Sequence, residues 1–294
     1  MISILIPIYN YNAVPLIKEL QEQCMECSID YEIVCIDDCS SYYKDENNTI
    51  SDLEKCSLLF LDKNSGRSKI RNLLAYKAAH QWLLFIDCDT FPKNKFFIAS
   101  YLKQIEQPSC KATFGGLDYV NTKPRKDQLL RWAYGLKREV KTVAQRQVNP
   151  YHTSYVSNFL IQRSVFASTL FDESITSYGF EDAIFIQSLK TKNVAIDQIK
   201  NPVYHLNLES SELFLSKTKE ALQTLLFLKQ SNIKLETKLL AAFDFVNKVK
   251  LTSTIANIYN HLEPFLEKNL LSGKPSMILF DVYKIGYFCS LNSK

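Results

Sequence analysis

The sequence predicts an α/β protein in which a parallel sheet is followed by a mainly helical C-terminal extension. Three observations predict it. Short β-rich runs alternate with helix-like segments through the first two hundred residues, the pattern of βαβ units. The run Trp82 to Ile86 is apolar without a break, as a strand buried on both faces requires. Beyond Ser210 the alternation stops and helical periodicity takes over.

Ile2 to Ile8 is the first strand, closed by Pro7 and Asn10. A helix opens at Asn12 or Ala13 with Pro15 in its first turn, and Val14, Ile17, Leu20 and Cys24 give it one apolar face. Tyr31 to Ile36 is the second strand, a polar stretch runs from Asp37 to Thr49, and Ser57 to Leu61 is the third strand. Ser65 is expected to cap a helix from Gly66 to about His80, with Ile70, Leu73, Leu74 and Ala78 inward, and Trp82 to Ile86 follows as the fourth strand. From Ala112 to Tyr204 the pattern is mixed: short strands at Ala112–Phe114, Tyr155–Ile161 and Val194–Ile196 flank a polar, basic segment around Lys123–Arg146. A mobile, solvated loop is expected there, with steering of an anionic donor or acceptor by Lys123, Arg125, Lys126 and Arg131 as the alternative. The C-terminal part predicts helices over Leu213–Leu228, Lys234–Val249 and Ala256–Leu270. A boundary near residue 210 separates domains 1–210 and 211–294.

Composition narrows the class. At 46% hydrophobic and 22% charged, the 294 residues are globular rather than disordered or fibrous. The net charge of +4 comes from the C-terminal part: residues 1–210 hold 24 basic and 24 acidic side chains, residues 211–294 hold 11 and 7. That excess is too diffuse for a nucleic-acid footprint, though it leaves open peripheral contact of the C-terminal helices with an anionic membrane. No apolar run spans a bilayer and no leader is visible, so a cytoplasmic protein is expected. The eight cysteines, including Cys24 and Cys27, are expected to be structural thiols, since no second pair stands at zinc-site spacing. His80, His152 and His261 show no partner pattern.

In an open parallel sheet, ligands bind beyond the carboxyl ends of the strands. The four strands end in Pro7-Ile8-Tyr9-Asn10, Asp37-Asp38-Cys39-Ser40, Asp62-Lys63-Asn64-Ser65-Gly66 and Asp87-Cys88-Asp89-Thr90. Three of them place carboxylates at one edge, which is costly unless a cation or hydrogen-bonding ligand compensates. Asp87 and Asp89 share one side of an extended backbone, and such oxygen ligands suit Mg²⁺ or Mn²⁺ together with substrate phosphates. Arg67 and Arg71 share a helix face near an N-terminus, where a diphosphate would meet guanidinium groups and free N–H groups; Gly66 permits close backbone approach there. A helix face paired with nearby carboxylates is the alternative.

SILIPIYN, IDDCS, NSGRSKIRN and FIDCDT stand in the order and spacing of the family 2 glycosyltransferases, and the sequence resembles that family over roughly residues 1–210. Phe114-Gly115-Gly116, Ser157 to Ile161 and Tyr178-Gly179-Phe180-Glu181-Asp182 resemble its acceptor-side motifs. The resemblance implies a GT-A nucleotide-binding α/β sandwich and inverting transfer from a nucleotide diphospho-sugar, expected to be UDP-linked, to a hydroxyl of a glycan or lipid-linked acceptor. It implies that Pro7 to Tyr9 with Asp37 and Asp38 hold the base and ribose, and that Arg71 lies by the base or diphosphate. Asp87 would contact ribose or sugar. Asn64, Gly66, Arg67, Cys88, Gly115 and Gly116 complete the implied nucleotide-sugar site. Asp89 and His205 would hold Mn²⁺ or Mg²⁺, with a satisfied buried histidine as the alternative for His205; Asp182 would be the catalytic base, and Glu181 would bind acceptor. Two positions depart from the pattern: Cys39 stands where the family has glycine in DDGS, and Ile70 where it has alanine.

Two other functions share part of this pattern. A nucleotidyltransferase gathers acids round a metal too, but needs a glycine-rich loop after the first strand, and Pro7 to Tyr11 contains no glycine. A non-catalytic nucleotide- or glycan-binding relative would have lost its acids, whereas Asp87, Asp89, Glu181 and Asp182 are intact. Glu181 and Asp182 could also simply cap the helix-like run Ala183–Leu189.

Overall fold

The computed structural model describes residues 1–233 and 235–293. Two compact units are present. The first gathers residues 1–119, 140–176 and 181–207; the second gathers residues 120–139, 177–180 and 208–294.

The first unit is built on a seven-stranded sheet. Its strands are β1 (Ile2–Ile8), β2 (Tyr31–Asp37), β3 (Cys56–Phe60), β4 (Trp82–Ile86), β6 (Ala112–Phe114), β8 (Asn158–Gln162) and β9 (Ile196–Gln198), in the order β3-β2-β1-β4-β8-β6-β9. A small sheet of β5 (Thr90–Pro92), β10 (Val203–His205) and β7 (Leu117–Asp118) has the order β5-β10-β7. β1 pairs in parallel with β2 and β4, and β2 with β3, so these four strands discharge at one edge. β8 runs antiparallel to β4 and β6. β1 and β4 are covered on both faces; Ile4, Leu5, Ile6, Leu83, Leu84 and Ile86 are fully buried. Each such side chain contributes about 1.5–3 kcal/mol of transfer free energy, so the sheet centre is the rigid base of everything at its edge.

The helix of Val14–Glu26 starts one residue before Pro15 and buries Leu16, Ile17, Leu20 and Cys24. Burial pushes the Cys24 thiol up to about 12, so it stays protonated in the core. The expected Gly66–His80 helix spans Arg67–Lys77. Ser65 does not cap it: Gly66, at φ 83°, is the N-cap, and the Ser65 hydroxyl donates to Asp38 Oδ1 instead. The strand expected over Ser57–Leu61 is Cys56–Phe60, and that over Tyr155–Ile161 is Asn158–Gln162.

The second unit is helical. Helices Ser211–Gln230, Lys238–Lys248, Thr252–Leu270 and Met277–Asn292 pack round two apolar clusters, one centred on Leu266, Leu270, Phe280 and Tyr283, the other on Leu225, Phe243 and Phe288. Lys234, the expected start of the second of these helices, lies outside the described residues. The last helix was not expected from sequence, because its apolar residues face several sides and give no single stripe. Gly286 explains one close approach: a Cβ there would stand 2.5 Å from Tyr259 Cδ2. The basic segment is not a solvated loop throughout. Leu129–Tyr134 forms a helix, and Arg131 is buried, donating to Glu139 Oε2 at 3.0 Å. Among the described residues no helix is long and apolar enough to cross a membrane.

Candidate active site

The carboxyl edge of β1 to β4 holds most of the sequence-expected residues. After β1, Tyr9 is exposed and Asn10 turns at φ 51°. The Asn10 amide N–H donates to Ser40 Oγ, and its side-chain oxygen accepts from the Ser41 N–H at 2.7 Å. The first and second strand ends are thereby clamped together. Asp37 is fully buried; its Oδ1 accepts from the Ser40 N–H at 2.7 Å, while its Oδ2 has no hydrogen-bond partner among the described residues.

Asp38 spends both oxygens on the next loop. Oδ1 accepts from the Ser65 N–H and hydroxyl at 2.6 and 2.8 Å, Oδ2 from the Gly66 N–H at 3.2 Å, and Asn64 Nδ2 donates to the Asp38 carbonyl at 3.1 Å. Asp38 therefore shapes the 64–66 loop. Cys39, in the slot of the family's glycine, adopts φ 63°, a left-handed conformation that costs a non-glycine residue about 1–2 kcal/mol.

Arg71 organises the centre. It is 3% exposed, and its two terminal nitrogens fork to Asp87 Oδ1 and Asp182 Oδ1, each at 3.0 Å, with Glu181 Oε1 at 3.5 Å. Burial alone would lower its pKa, but Asp182, Asp87 and Glu181 together raise it, so it stays charged. The guanidinium lies 5.5 Å from the Phe171 ring, which stacks on Phe185 at 4.3 Å. Phe171 is itself pinned: its N–H donates to Asn72 Oδ1 and its carbonyl accepts from Asn72 Nδ2. Arg67, half exposed, donates to Glu181 Oε1 at 3.2 Å. Much of the edge's negative charge is thus compensated by an internal arginine and by backbone N–H groups. The sequence led to a cation or ligand in that role, with an Arg67/Arg71 face paired to nearby carboxylates as the alternative; it did not show that Arg71 and Asp182, 111 residues apart, meet.

Asp182 accepts from the Val156 N–H at 3.1 Å as well as from Arg71. Burial pushes its pKa up to about 6, Arg71 opposes, and Glu181 and Asp87 add to the rise. Asp182 is therefore a carboxylate able to accept a proton near neutral pH.

Asp89 and His205 are joined by the small sheet. Asp89 immediately precedes β5, whose Thr90 pairs with His205 of β10, and the Leu206 N–H donates to the Asp89 carbonyl at 2.8 Å. His205 Nε2 stands 3.6 Å from Asp89 Oδ2, and its ring stacks on Tyr119 with centroids 5.5 Å apart. At 3.6 Å the two stand between the separations of about 3 Å and about 4.2 Å that bonds of about 2.0–2.1 Å give adjacent and opposite ligands of an octahedron, so sharing a hard cation would take a small side-chain shift. Among the described residues no group of three or more His, Cys, Asp or Glu side chains gathers to hold a metal. A cation on this pair would draw its remaining ligands from phosphate oxygens and water.

Cys88 is buried beside this pair, and burial raises its thiol pKa, leaving it unreactive. Burial, and then the negative charge of Asp89, raise the Tyr11 pKa, so its phenol stays protonated. Gly115 and Gly116 sit in packing. A Cβ on Gly115 would stand 2.5 Å from Asn158 Nδ2 and the Tyr101 hydroxyl, and Gly116, at φ 106°, lies against Arg146. Arg146 is buried without an acidic partner in its hydrogen bonds, donating to Gln198 and to the carbonyls of Phe114, Gly115 and Ile199.

The family model for glycosyl transferase family 2 matches residues 3–170, more than half of the chain. The chain belongs to glycosyl transferase family 2. No curated protein sequence shows a significant match. Among solved structures, the mannosyltransferase PcManGT from Pyrobaculum calidifontis, in complex with GDP-Man and Mn²⁺, is 12% identical with a TM-score of 0.56, covering 99% of this chain and 85% of that one. Glucosyl-3-phosphoglycerate synthase from Mycobacterium tuberculosis, in complex with Mn²⁺, UDP and glucosyl-3-phosphoglycerate, is 15% identical with a TM-score of 0.53, covering 80% and 81%. S. aureus TarS 1–349 in complex with UDP-GlcNAc is 20% identical with a TM-score of 0.52, covering 76% of this chain. The family 2 chain spans 66% of that TarS chain's length and 38% of a longer TarS structure. At these identities the likeness is one of fold: the GT-A arrangement of the α/β unit.

Proposed function

We propose that this family 2 protein is a metal-dependent, inverting glycosyltransferase, moving a hexosyl or N-acetylhexosaminyl group from a UDP-linked sugar to a hydroxyl of a glycan or lipid-linked acceptor. The observation that carries the reading is the Arg71 fork, which holds Asp182 and Asp87 together at the carboxyl edge of a parallel sheet. Asp182, with its raised pKa, takes the proton of the attacking acceptor hydroxyl. Glu181, its neighbour, is buried against both arginines and lies on the acceptor side. Asp87, also on Arg71, meets ribose or sugar. Tyr9, exposed after β1, and the Asp37–Asp38 pair hold the base and ribose; Asp37 is buried, so its Oδ2 reaches a ligand only if the loop after β2 shifts, while Asp38 also keeps the Asn64 to Gly66 loop in shape. Arg67, the more exposed arginine, meets the diphosphate at the helix N-terminus. A divalent cation on Asp89 and His205 would neutralise charge on the departing diphosphate, worth several kcal/mol.

Nucleotide and metal are tested together by thermal shift. UDP with Mn²⁺ is expected to raise the melting temperature more than GDP or CMP; at a hundredfold excess over Kd the stabilisation is about 2.7 kcal/mol. A shift with GDP alone would reassign the donor, and equal shifts with and without Mn²⁺ would remove the metal. Anomeric NMR of the product tests inversion: retained configuration would overturn the single displacement. The location that goes with this reading is the cytoplasm, at the inner membrane face if the acceptor is lipid-linked.

A further inference from the structure

Within the second unit, the segment after Val120 and the turn before the last helix line a half-open cavity of 340 Å³. Leu129, Trp132, Leu136 and Pro275 supply apolar walls. Lys123, Lys137 and Lys274 line the same cavity and are exposed, and no carboxylate pairs with them among the described residues. A fourth ammonium stem reaches the rim: Lys126 Cε stands 4.0 Å from where a Cβ on Gly273 would lie, and Gly273 lines the cavity.

Both halves of this arrangement ask for a ligand. Cations gathered round one opening repel each other unless an anion joins them. An apolar wall beside them gains nothing from a bare inorganic anion, and a neutral apolar molecule gains nothing from the lysines. An amphiphile with a phosphate head and an acyl chain satisfies both. The surroundings favour a bilayer as its source: Val120, whose carbonyl accepts the Trp132 indole N–H at 2.9 Å, is 46% exposed, and Ile278, just past Pro275, is 75% exposed. A tryptophan, lysines and bare aliphatic side chains are the composition of a membrane-interface contact.

We propose that this cavity is a binding site for an anionic phospholipid of a membrane surface, the phosphate among Lys123, Lys137 and Lys274 and the chain against Trp132 and Leu136. The site is independent of the sugar-transfer residues, so it stands or falls apart from the proposed activity.

The chain has two tryptophans, and Trp82 is buried within β4, which makes Trp132 a local reporter. The full-length protein is mixed with vesicles of phosphatidylcholine alone or with phosphatidylglycerol, whose acyl chains are brominated in a parallel series. Expected are co-sedimentation with the anionic vesicles only, quenching of Trp132 by the brominated chains, and retention in millimolar inorganic phosphate. The triple variant K123Q/K137Q/K274Q, with its melting temperature checked against the parent, is expected to bind about a hundredfold more weakly at low salt, since each lysine near an anionic surface contributes roughly fivefold. Absence of binding, binding without quenching, equal binding by the triple variant, or release by phosphate alone would overturn the site. Quenching is read on the parent chain, so it decides even if the variant folds poorly.

Discussion

Asp182 and Arg71 show how single side chains set the chemistry. Asp182 ionises near pH 6 because burial outweighs the pull of Arg71. A base must be unprotonated, so transfer is expected to fall on the acid side with an apparent pKa near 6 in a pH–rate profile. Stability moves the other way. The folded state holds this proton up to about pH 6, whereas the unfolded chain releases it near 3.8, so deprotonation in that window lowers stability while it turns the base on. Asp182→Asn is expected to lose about 10²- to 10⁴-fold in rate while still binding nucleotide, measured by turnover and by calorimetry. Arg71→Gln removes the charge that opposes burial, so the acid limb should move to higher pH. It also leaves Asp87, Asp182 and Glu181 without their shared cation, and a loss of about 3–5 kcal/mol in denaturant unfolding is expected. An unmoved limb would mean that Arg71 does not tune the base. Cys39 is a residue-scale cost: at φ 63°, Cys39→Gly should exceed Cys39→Ala in stability by about 1 kcal/mol in a chemical melt.

At the scale of elements, short connections do the positioning. The 64–66 loop hangs on Asp38, and the β5–β10 pairing carries His205 to Asp89. His205→Ala should therefore weaken the Mn²⁺-dependent part of the thermal shift and leave the metal-free shift unchanged. Gly115 follows β6 in a space already filled by Tyr101 and Asn158. Gly115→Ala is expected to cost about 1–3 kcal/mol by overpacking, read as a lower melting temperature. Legibility also varied by element. Trp82–Ile86 was legible to the residue, because an unbroken apolar strand has little choice of limits, and Ala112–Phe114 because Lys111 precedes it and Gly115-Gly116 follows it. The Met277–Asn292 helix was not: it buries residues on several sides between other helices, so periodicity left no stripe to read. Ser65 looked like a cap because serine at a helix start commonly is one; Asp38 drew its hydroxyl away instead.

Over the whole molecule, the division of labour follows the charge. The first unit balances acids at its sheet edge through Arg71, while the second gathers round an apolar cavity three lysines that pair with no carboxylate among the described residues. Raising salt is therefore expected to weaken vesicle binding steeply, as exposed charges are screened, and to leave the pH limb of transfer nearly in place, as buried pairs are screened much less. What the sequence determined alone was the alternation of strands and helices, the parallel sheet and the set of acids at its edge, because periodicity and strand-end chemistry are local. Only the tertiary structure decided that Asp38 holds a loop, that Arg71 joins Asp87 to Asp182, and that His205 faces Asp89. Those outcomes depend on the register of distant strands and on which buried charge lies nearest, and neither is written in the spacing of neighbouring residues.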